Sequence, residues 1–213
     1  MPTQPDPSVS PSVGSATLRY VSLGDSYTIG TSVTPAASWP GQLVDRLGGR
    51  LILAGNLATN GFTSADLIRY ELPAIDSLRP EFVTIQIGVN DVVQGVPEAT
   101  YVANVDFILD DLLGRLPPER ILAVATPDYT VTPMGASFGN PAQQSAGIAG
   151  FNDILEAAAV ARGIAFVPDV FAISKAAATD RSLVADDGLH PSGTQYALWV
   201  DAIEPVVTDL LDR

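Results

Sequence analysis

The segment RYVSLGDSYTIG, residues 19–30, gives the clearest indication of the fold of this chain. Its first six residues form an apolar run, and Asp25 and Ser26 follow directly after Gly24, as expected for a buried strand that ends in a tight turn. A serine on such a turn is presented at the edge of a sheet, with its backbone N–H directed toward whatever it attacks. Asp and Ser are also the residue types that commonly cap helices, so the tripeptide alone is weak support for a function.

Four further apolar runs have the same character as residues 19–24. Each is apolar throughout rather than alternating, which is typical of strands that are buried on both faces in a parallel sheet. The runs span residues 50–58, 82–88, 120–126 and 163–168. The chain is therefore predicted to contain five parallel strands.

Amphipathic stretches separate these runs and predict helices. The predicted helices run from Ser38 to Leu47, from a cap at Ser64 to a break or kink at Pro73, over 101–116, over 148–158, and from Ser192 to the C-terminus with an interruption at Pro205. Strands that alternate with helices predict right-handed crossovers and an α/β fold of three layers, α/β/α, around a central, mostly parallel five-stranded sheet.

Ligands bind beyond the carboxyl ends of the strands in an open sheet of this kind. The chemistry is therefore expected in the segments that follow the strands. Residues 126–146 form the longest stretch without a predicted element, and such a long loop in a small domain is usually functional or mobile.

The composition excludes several classes of function. A net charge of −13 over 213 residues disfavours binding to nucleic acid or to anionic membrane surfaces. No apolar run approaches the ~20 residues of a membrane-spanning helix, so no integral membrane segment is predicted. The absence of cysteine excludes disulfides and a thiol nucleophile.

Residues 1–16 are rich in Pro and Ser and predict a disordered tail or linker ahead of one domain over residues 17–213. The segment lacks the basic and apolar regions of a signal peptide. It is similar to the spacer that follows a removed signal or lipid anchor in exported bacterial proteins, and an ordinary ragged terminus explains it equally well. Localisation, like the oligomeric state, stays open.

Polar residues follow the second and third predicted strands. Gly61 could let a backbone N–H approach a ligand closely, although Asn60-Gly61 is also the commonest turn dipeptide. Asn90 could aim its side-chain amide at a developing oxyanion, or it could make the ordinary hydrogen bonds of a polar loop.

The only histidine of the chain, His190, follows two adjacent acids, Asp186 and Asp187. A carboxylate close to an imidazole can fix its tautomer and stabilise the imidazolium ion. A lone histidine can equally be a residue with no special role, and the two acids leave open which of them would serve.

Together, and in this order, these blocks resemble the SGNH hydrolases, also called GDSL esterases and lipases. The matching blocks are Ser26 in GDS, Gly61, Asn90 in GxND, and Asp187 with His190 in DxxH. The resemblance covers essentially all of residues 18–211. It implies the flavodoxin-like α/β/α fold of that family.

The resemblance also implies a serine esterase that acts on small-molecule carboxylic esters and needs neither a cofactor nor a metal. Ser26 would be the nucleophile, His190 the general base, and Asp187 the acid that orients it. The oxyanion hole would consist of the N–H groups of Ser26 and Gly61 together with the Asn90 side chain.

Other interpretations of the same residues are weaker. The G-x-S-x-G turn of the α/β-hydrolases does not fit, because Thr28 occupies its final glycine position. A non-catalytic ligand-binding domain is disfavoured by the intact set of four blocks. One histidine and scattered carboxylates would make a poor site for a divalent metal; the carboxylates in question are Asp25, Asp91, Asp186 and Asp187.

The substrate is less well defined than the reaction. Acetylated sugars, lysophospholipids and thioesters are alternatives to simple esters within the same family. A chain of 213 residues leaves little inserted sequence for a large lipid-binding lid, which favours short acyl chains.

Overall fold

A computed structural model of the protein describes residues 17–213, so the predicted tail over residues 1–16 lies outside the described residues. Five parallel strands form one sheet in the order β2-β1-β3-β4-β5. They are β1 (Leu18–Gly24), β2 (Leu51–Asn56), β3 (Phe82–Gln86), β4 (Ile121–Val124) and β5 (Ala165–Val167). The predicted five-stranded sheet is confirmed, and all of its strand pairs are parallel.

Helices connect the strands and cover both faces of the sheet. They are α1 (Ser26–Ile29), α2 (Trp39–Arg46), α3 (Ser64–Asp66), α4 (Leu72–Leu78), α5 (Val89–Val93), α6 (Glu98–Leu113), α7 (Pro141–Ala161), α8 (Asp169–Ser174) and α9 (Gly193–Leu211). Within residues 17–213, no helix combines the length and the apolar character needed to cross a membrane.

Two apolar clusters, one on each face of the sheet, form the core. Tyr20 belongs to the cluster that contains Trp39 of α2 and Trp199 of α9. The next residue of β1, Val21, belongs to the other cluster, which includes residues of α4, α6 and α7 such as Ile108. Successive strand residues point to opposite faces, so both faces of β1 are buried and the predicted three-layer α/β/α fold is confirmed.

The order of the strands places a crevice at the carboxyl ends of β1 and β3. From β1 the chain first adds β2 on one side and then crosses to build β3, β4 and β5 on the other. Gly24 at the end of β1 pairs with Gln86 at the end of β3. The segments that follow these two residues therefore begin side by side, at the switch point where open α/β sheets bind ligands.

The predicted interruption of the last helix at Pro205 is wrong. Helix α9 is continuous from Gly193 to Leu211, and Ser192 caps its N-terminus as predicted. Pro205 lies on the exposed side of the helix, where water can hydrogen-bond the carbonyl that lacks an N–H partner. Buried contacts of Trp199 and Ile203 on the other side hold the helix together.

The helix expected from Ser64 to Pro73 also differs in two details. Thr63, not Ser64, is the cap: its hydroxyl accepts the Asp66 N–H, and the Asp66 carboxylate accepts the Thr63 N–H in return. The chain does not break at Pro73, because a π-helical turn over Leu67–Glu71 joins α3 to α4. The wider turn accommodates the proline, whose ring and missing N–H disturb regular α-helical bonding.

The segment 126–146 is more regular than expected. Helix α7 begins at Pro141 with Asn140 as its cap, well ahead of the predicted start at residue 148. Two 3₁₀ turns, Tyr129–Val131 and Gly135–Phe138, occupy much of the remainder. An Asn-Pro pair at a cap and first helical position was the sequence signal for this start.

Candidate active site

Ser26 is the first residue of α1 and follows the end of β1 by a single intervening residue. The Asp25 carboxylate accepts the Tyr27 N–H at 2.9 Å and caps the helix, so the capping role expected for Asp is present here. No residue with a side chain can replace Gly24 unless the neighbouring backbone shifts, because a Cβ added there would lie 2.3 Å from the carbonyl oxygen of Gln86. The serine is therefore held in a turn that packs directly against β3.

The side chain of Gln86 supports this turn from within the core. Its Oε1 accepts hydrogen bonds from Thr28 Oγ1 and from Trp39 Nε1, both at 3.2 Å, and its Nε2 donates to the carbonyl of Ala125 at 2.9 Å. Gln86 is fully buried, so these bonds have no competition from water. Gln86 was not among the residues predicted for the site, although a polar side chain in an otherwise apolar strand was the available signal.

Gly61 lies in the turn between β2 and α3 with a φ of +80°, a conformation that favours glycine. Thr31 Oγ1 donates to Asn60 Oδ1 at 2.5 Å, and Gln94 Nε2 donates to the Gly61 carbonyl at 3.2 Å. In the part of the chain from 17 to 213, neither the Gly61 N–H nor the Ser26 N–H donates to a protein acceptor. Both groups are thus available to a negatively charged oxygen.

Asn90 is the second residue of α5. Its Nδ2 donates to the Phe62 carbonyl at 2.9 Å, and a second, longer bond of 3.4 Å reaches Asp25 Oδ2. The short bond orients the amide and leaves one hydrogen for the longer one. An oxyanion in the neighbouring space would compete with Asp25 for that hydrogen.

Asp91, the neighbour of Asn90, ties α5 to the loop that carries Gly61. It is fully buried, and its carboxylate accepts the Ser64 N–H at 2.8 Å and the Ser64 hydroxyl at 2.5 Å. Asn104 of α6 donates to the same hydroxyl at 2.9 Å. The aspartate of the GxND block is therefore a structural residue here.

Asp187 and His190 lie in the loop before α9. Asp187 Oδ2 is 2.6 Å from His190 Nδ1, and Asp187 Oδ1 accepts the backbone N–H groups of Leu189 and His190, each at 2.9 Å. Ser32 Oγ donates to Asp187 Oδ2 at 2.5 Å. Asp186 is exposed and makes no hydrogen bond to His190 among the described residues.

Asp187 is a carboxylate over the whole working range of pH. Partial burial raises its pKa, but the hydrogen bonds from Ser32 and His190 outweigh this effect and hold the pKa well below the ordinary value. A negative charge on this side of the imidazole favours the tautomer with a proton on Nδ1, and it stabilises the imidazolium ion.

Four of the predicted site residues, Ser26, Gly61, Asn90 and His190, line one cavity of about 230 Å³. Asp187 lies behind His190. The rest of the lining is mainly apolar or aromatic and consists of Tyr27, Asn60, Val89, Val93, Tyr129, Phe138 and Leu189. Residues that are far apart in sequence are thus brought together at the switch point of the sheet.

Ser26 and His190 share the cavity without a direct bond. The hydrogen bonds of residues 17–213 do not include one between Ser26 Oγ and the imidazole. The ring of His190 packs against Tyr27 instead, with 5.3 Å between ring centroids. Catalytic hydrogen bonds are often long without substrate and tighten in the Michaelis complex, so the lack of this bond among the described residues does not argue against proton transfer.

Buried carboxyl groups lie beneath the turn that carries Ser26. Burial raises the pKa of Asp25 to about 7, and the charge of Asp91 adds to the effect. Glu71, in the π-helical turn, accepts the Gly24 N–H at 2.9 Å, and burial raises its pKa to about 9. Glu71 is therefore neutral at pH 7. Nothing in the local sequence pattern indicated that this acid would be buried.

The carboxylates considered for a metal site do not gather into one. Within residues 17–213, no group of three or more His, Asp or Glu side chains is placed to hold a metal ion. Asp25 and Asp91 are buried beneath the cavity, whereas Asp186 is exposed on the loop before α9.

Comparison with known proteins identifies the family of the chain. The model of the GDSL-like lipase/acylhydrolase family matches residues 22–198. The chain belongs to this family. The match includes Ser26, Gly61, Asn90, Asp187 and His190, so the family resemblance inferred from the four blocks is confirmed. No curated protein matches the chain by sequence.

Several solved structures share the fold. TesA is 21% identical, with a TM-score of 0.71 over 90% of this chain and 99% of that one. A lipase/acylhydrolase from Enterococcus faecalis is 19% identical, with a TM-score of 0.69 over 92% and 97% of the two chains. The W215I variant of Axe2, an acetyl xylan esterase from Geobacillus stearothermophilus, is 16% identical, with a TM-score of 0.70 over 90% and 95%. At these identities the comparison establishes the fold alone.

Proposed function

We propose that this GDSL-family chain is a serine ester hydrolase. The observation that carries the proposal is the arrangement around one cavity: a serine on a tight turn, the only imidazole of the chain with its Nδ1 bonded to a carboxylate, and two lining residues whose N–H groups have no acceptor within residues 17–213. Acyl transfer needs an activated nucleophile, a base and donors at the developing negative charge, and each has a candidate here.

Formation of the acyl-enzyme follows from these positions. Ser26 Oγ attacks the ester carbonyl carbon while His190 Nε2 takes the hydroxyl proton, and the carbonyl oxygen becomes an oxyanion. Asp187 stabilises the imidazolium ion through Nδ1. His190 then gives the proton to the departing alcohol, and an acyl group remains on Ser26.

Deacylation repeats the sequence with water as the nucleophile. His190 takes a proton from water as it attacks the acyl carbon, and returns it to Ser26 Oγ as the carboxylic acid leaves. In both halves the N–H groups of Ser26 and Gly61 and the amide of Asn90 bind the oxyanion. Loss of one such donor typically costs ~10²–10³ in rate.

One solved relative provides independent support for the acid and the base. Two Axe2 structures are of catalytic mutants, one altered at an aspartate and one at the histidine three positions later. Asp187 and His190 have the same residue types and the same spacing. We carry those roles over to these two residues.

The cavity favours a short, uncharged acyl group. At about 230 Å³ it is smaller than the pockets that usually hold drug-sized ligands, roughly 300–1,000 Å³. Its walls are mainly apolar, and within residues 17–213 no Lys or Arg lines it to neutralise a phosphate or carboxylate. These features support esters of short aliphatic acids over lysophospholipids.

Covalent labelling tests the proposal. A fluorophosphonate probe should modify Ser26 and abolish hydrolysis of 4-nitrophenyl butanoate, because it reacts only with an activated serine. Ser26→Ala should lose both the label and nearly all activity. Ser137→Ala, at an exposed serine near the same cavity, is the matched control and should lose neither. Labelling at a serine other than Ser26, or full activity in Ser26→Ala, would refute the assignment.

A rate profile over acyl chain length, with acetylated xylan as a polymeric substrate, tests the substrate class. We expect a maximum among short chains and little release of acetate from the polymer. A maximum at long acyl chains, or faster turnover of the polymer than of the small esters, would contradict it.

A further inference from the structure

The loop that follows α1 is attached to the turn that carries Ser26. The N–H groups of Gly30 and Thr31 both donate to the carbonyl oxygen of Ser26, at 3.2 and 3.1 Å. Ser32 comes next, and its φ of +68° places it in the left-handed region. The position of Ser32 is therefore set by the backbone of the proposed nucleophile.

Two hydroxyl groups of this loop reach other parts of the site. Thr31 Oγ1 donates to Asn60, beside the proposed oxyanion glycine, at 2.5 Å. Ser32 Oγ donates to Asp187 Oδ2 at 2.5 Å, across 155 positions of sequence. Adjacent residues thus connect the turn of Ser26 to the Gly61 loop on one side and to Asp187 on the other.

Ser32 is the connection between Asp187 and the rest of the domain. Among the described residues, the other donors to the Asp187 carboxylate are Leu189 and His190, which belong to the same loop as Asp187. Met134 donates to the Gly188 carbonyl at 3.0 Å, but that bond holds the loop backbone and not the carboxylate. Without Ser32, the carboxylate would be fixed only relative to its own loop.

The backbone of Ser32 argues against a purely structural role. A left-handed conformation is unfavourable for residues other than glycine, and glycine would adopt it freely. The serine at this position therefore adds a hydroxyl group at a cost to stability. Such strain is commonly found where a side chain must be held for function.

We propose that Ser32 is a positioning residue, whose hydroxyl holds the Asp187 carboxylate, and through it the His190 imidazole, at a fixed place relative to Ser26. This inference rests on the proposed function. The Ser32 hydroxyl acts on the geometry of proton transfer and not on substrate binding, because Ser32 is not among the described residues that line the cavity.

Ser32→Gly separates the effect of the hydroxyl group from the effect of backbone strain. Glycine removes the hydrogen-bond donor but adopts the left-handed conformation without strain. We expect kcat to fall about 3- to 10-fold, with KM within about 2-fold and Tm unchanged or higher. The modest size reflects the 29% exposure of the Asp187 side chain, which lets water replace part of the bond. Ser32→Ala, which lacks the hydroxyl but keeps the strained backbone, should lose a similar amount of kcat and have the lower Tm.

The matched control is Ser182→Gly. Ser182 Oγ also donates to an exposed carboxylate, that of Asp180 at 2.6 Å, but neither residue lines the cavity. This variant should keep the kcat of the parent. An equal loss of kcat in Ser182→Gly would show that the effect of Ser32→Gly is nonspecific and would overturn the proposal.

A second readout does not depend on activity. Because His190 is the only histidine, ¹⁵N NMR of the imidazole reports on this one residue. In Ser32→Gly we expect faster exchange of the Nδ1 proton with water, since the carboxylate that holds it becomes more mobile. Unchanged exchange together with unchanged kcat would overturn the positioning role. If Ser26→Ala keeps its activity, the proposed function fails, and the exchange rate still tests the Ser32–Asp187–His190 connection.

Discussion

At the scale of single residues, two adjacent carboxylates differ in their hydrogen-bond partners. Asp187 accepts hydrogen bonds from the His190 ring and from Ser32, whereas Asp186 bonds neither of them in the part of the chain that the structure describes. The local sequence did not show which of the two acids would bond the histidine, and only the family pattern favoured Asp187. The structure separates them, because the turn through Gly188 folds the Asp187 carboxylate back toward the imidazole.

Asp187→Asn should therefore lower kcat by at least ~10-fold, and Asp186→Asn by less than ~3-fold. An amide at position 187 weakens the bond to Nδ1 and no longer stabilises the imidazolium ion. The measurement is kcat of both variants on the same ester. The reverse ranking would move the role of the acid to Asp186, and two equally small effects would mean that His190 works without an acid.

Glu71 makes stability depend on pH. Its pKa is about 9 in the folded protein, against an ordinary value of 4.5. Well below pH 4.5 the acid is neutral in both the folded and the unfolded state, so its ionisation does not change the free energy of unfolding. As pH rises from about 4.5 through 9, the unfolded chain ionises while the folded one retains its proton, so stability is progressively lost over this range.

Glu71→Gln should remove this loss, because an amide oxygen can still accept the Gly24 N–H. We expect Tm at pH 8 to exceed that of the parent by several degrees, given roughly 2–4 °C per kcal/mol for a domain of this size, and the difference to shrink toward pH 4. Thermal melts across this range measure it. Glu156→Gln, at an exposed acid, is the control; a parallel pH dependence in parent and Glu71→Gln would contradict the prediction.

At the scale of elements, the segment between β4 and α7 shows why its order was missed. Asp128 is buried, and its carboxylate accepts hydrogen bonds from the Thr130 N–H, the Thr130 hydroxyl and the Ser145 hydroxyl. These bonds hold the first 3₁₀ turn and connect it to α7, and Tyr129 of that turn packs edge to face against Phe138 of the second turn at 5.6 Å. Repeated Pro and Gly indicated a loop. The hydrogen bonds of one buried acid leave no periodic pattern in the sequence, so the order that they impose on the segment could not be predicted.

Phe138 is expected to limit acyl chain length, because it lines the cavity and is still 40% exposed at its rim. Phe138→Ala removes the ring and opens space for a longer acyl chain. The ratio of kcat/KM for octanoate over butanoate esters should then rise at least ~3-fold, since each additional methylene that is buried in an apolar pocket contributes about 1–3 kcal/mol at most. Tm should change little. Met134→Ala removes an exposed side chain from the same segment outside the cavity and should leave the ratio unchanged. An unchanged ratio in Phe138→Ala would show that the aromatic wall does not set the preference.

At the scale of the whole molecule, we expect the net charge of −13 to produce a negative field that extends to the cavity. Several arginines are already engaged with carboxylates, as Arg46, Arg115 and Arg162 are. A negatively charged substrate should be repelled at low ionic strength, and salt should reduce the repulsion.

A pair of substrates tests this effect. The ratio of kcat/KM for 4-nitrophenyl butanoate over 4-nitrophenyl hemisuccinate should fall at least ~2-fold as salt rises from about 0.02 to 0.5 M, because only the second ester carries a charge. Equal salt dependence of the two esters would show that the field does not act at the cavity.

Much of the fold follows from local features of the sequence. Five uniformly apolar runs predicted five buried parallel strands, and the turn after each strand could be identified because parallel strands end at one edge of a sheet. The same reasoning selected Ser26, Gly61, Asn90 and His190 as candidates. The effect of Pro205 was predicted wrongly, because packing on the opposite face of α9 outweighs the destabilising effect of one proline. Helix preferences of single residues do not include this packing.

The individual strands, most of the helices and the four blocks could therefore be read from the sequence, since each depends on residues within a few positions. The order of the strands in the sheet, the bond from Ser32 to Asp187, the support of the serine turn by Gln86 and the burial of Glu71 became visible only in the folded structure. These contacts join residues 47 to 155 positions apart. Their geometry arises when the sheet and its helices pack, and no local spacing or residue preference encodes it.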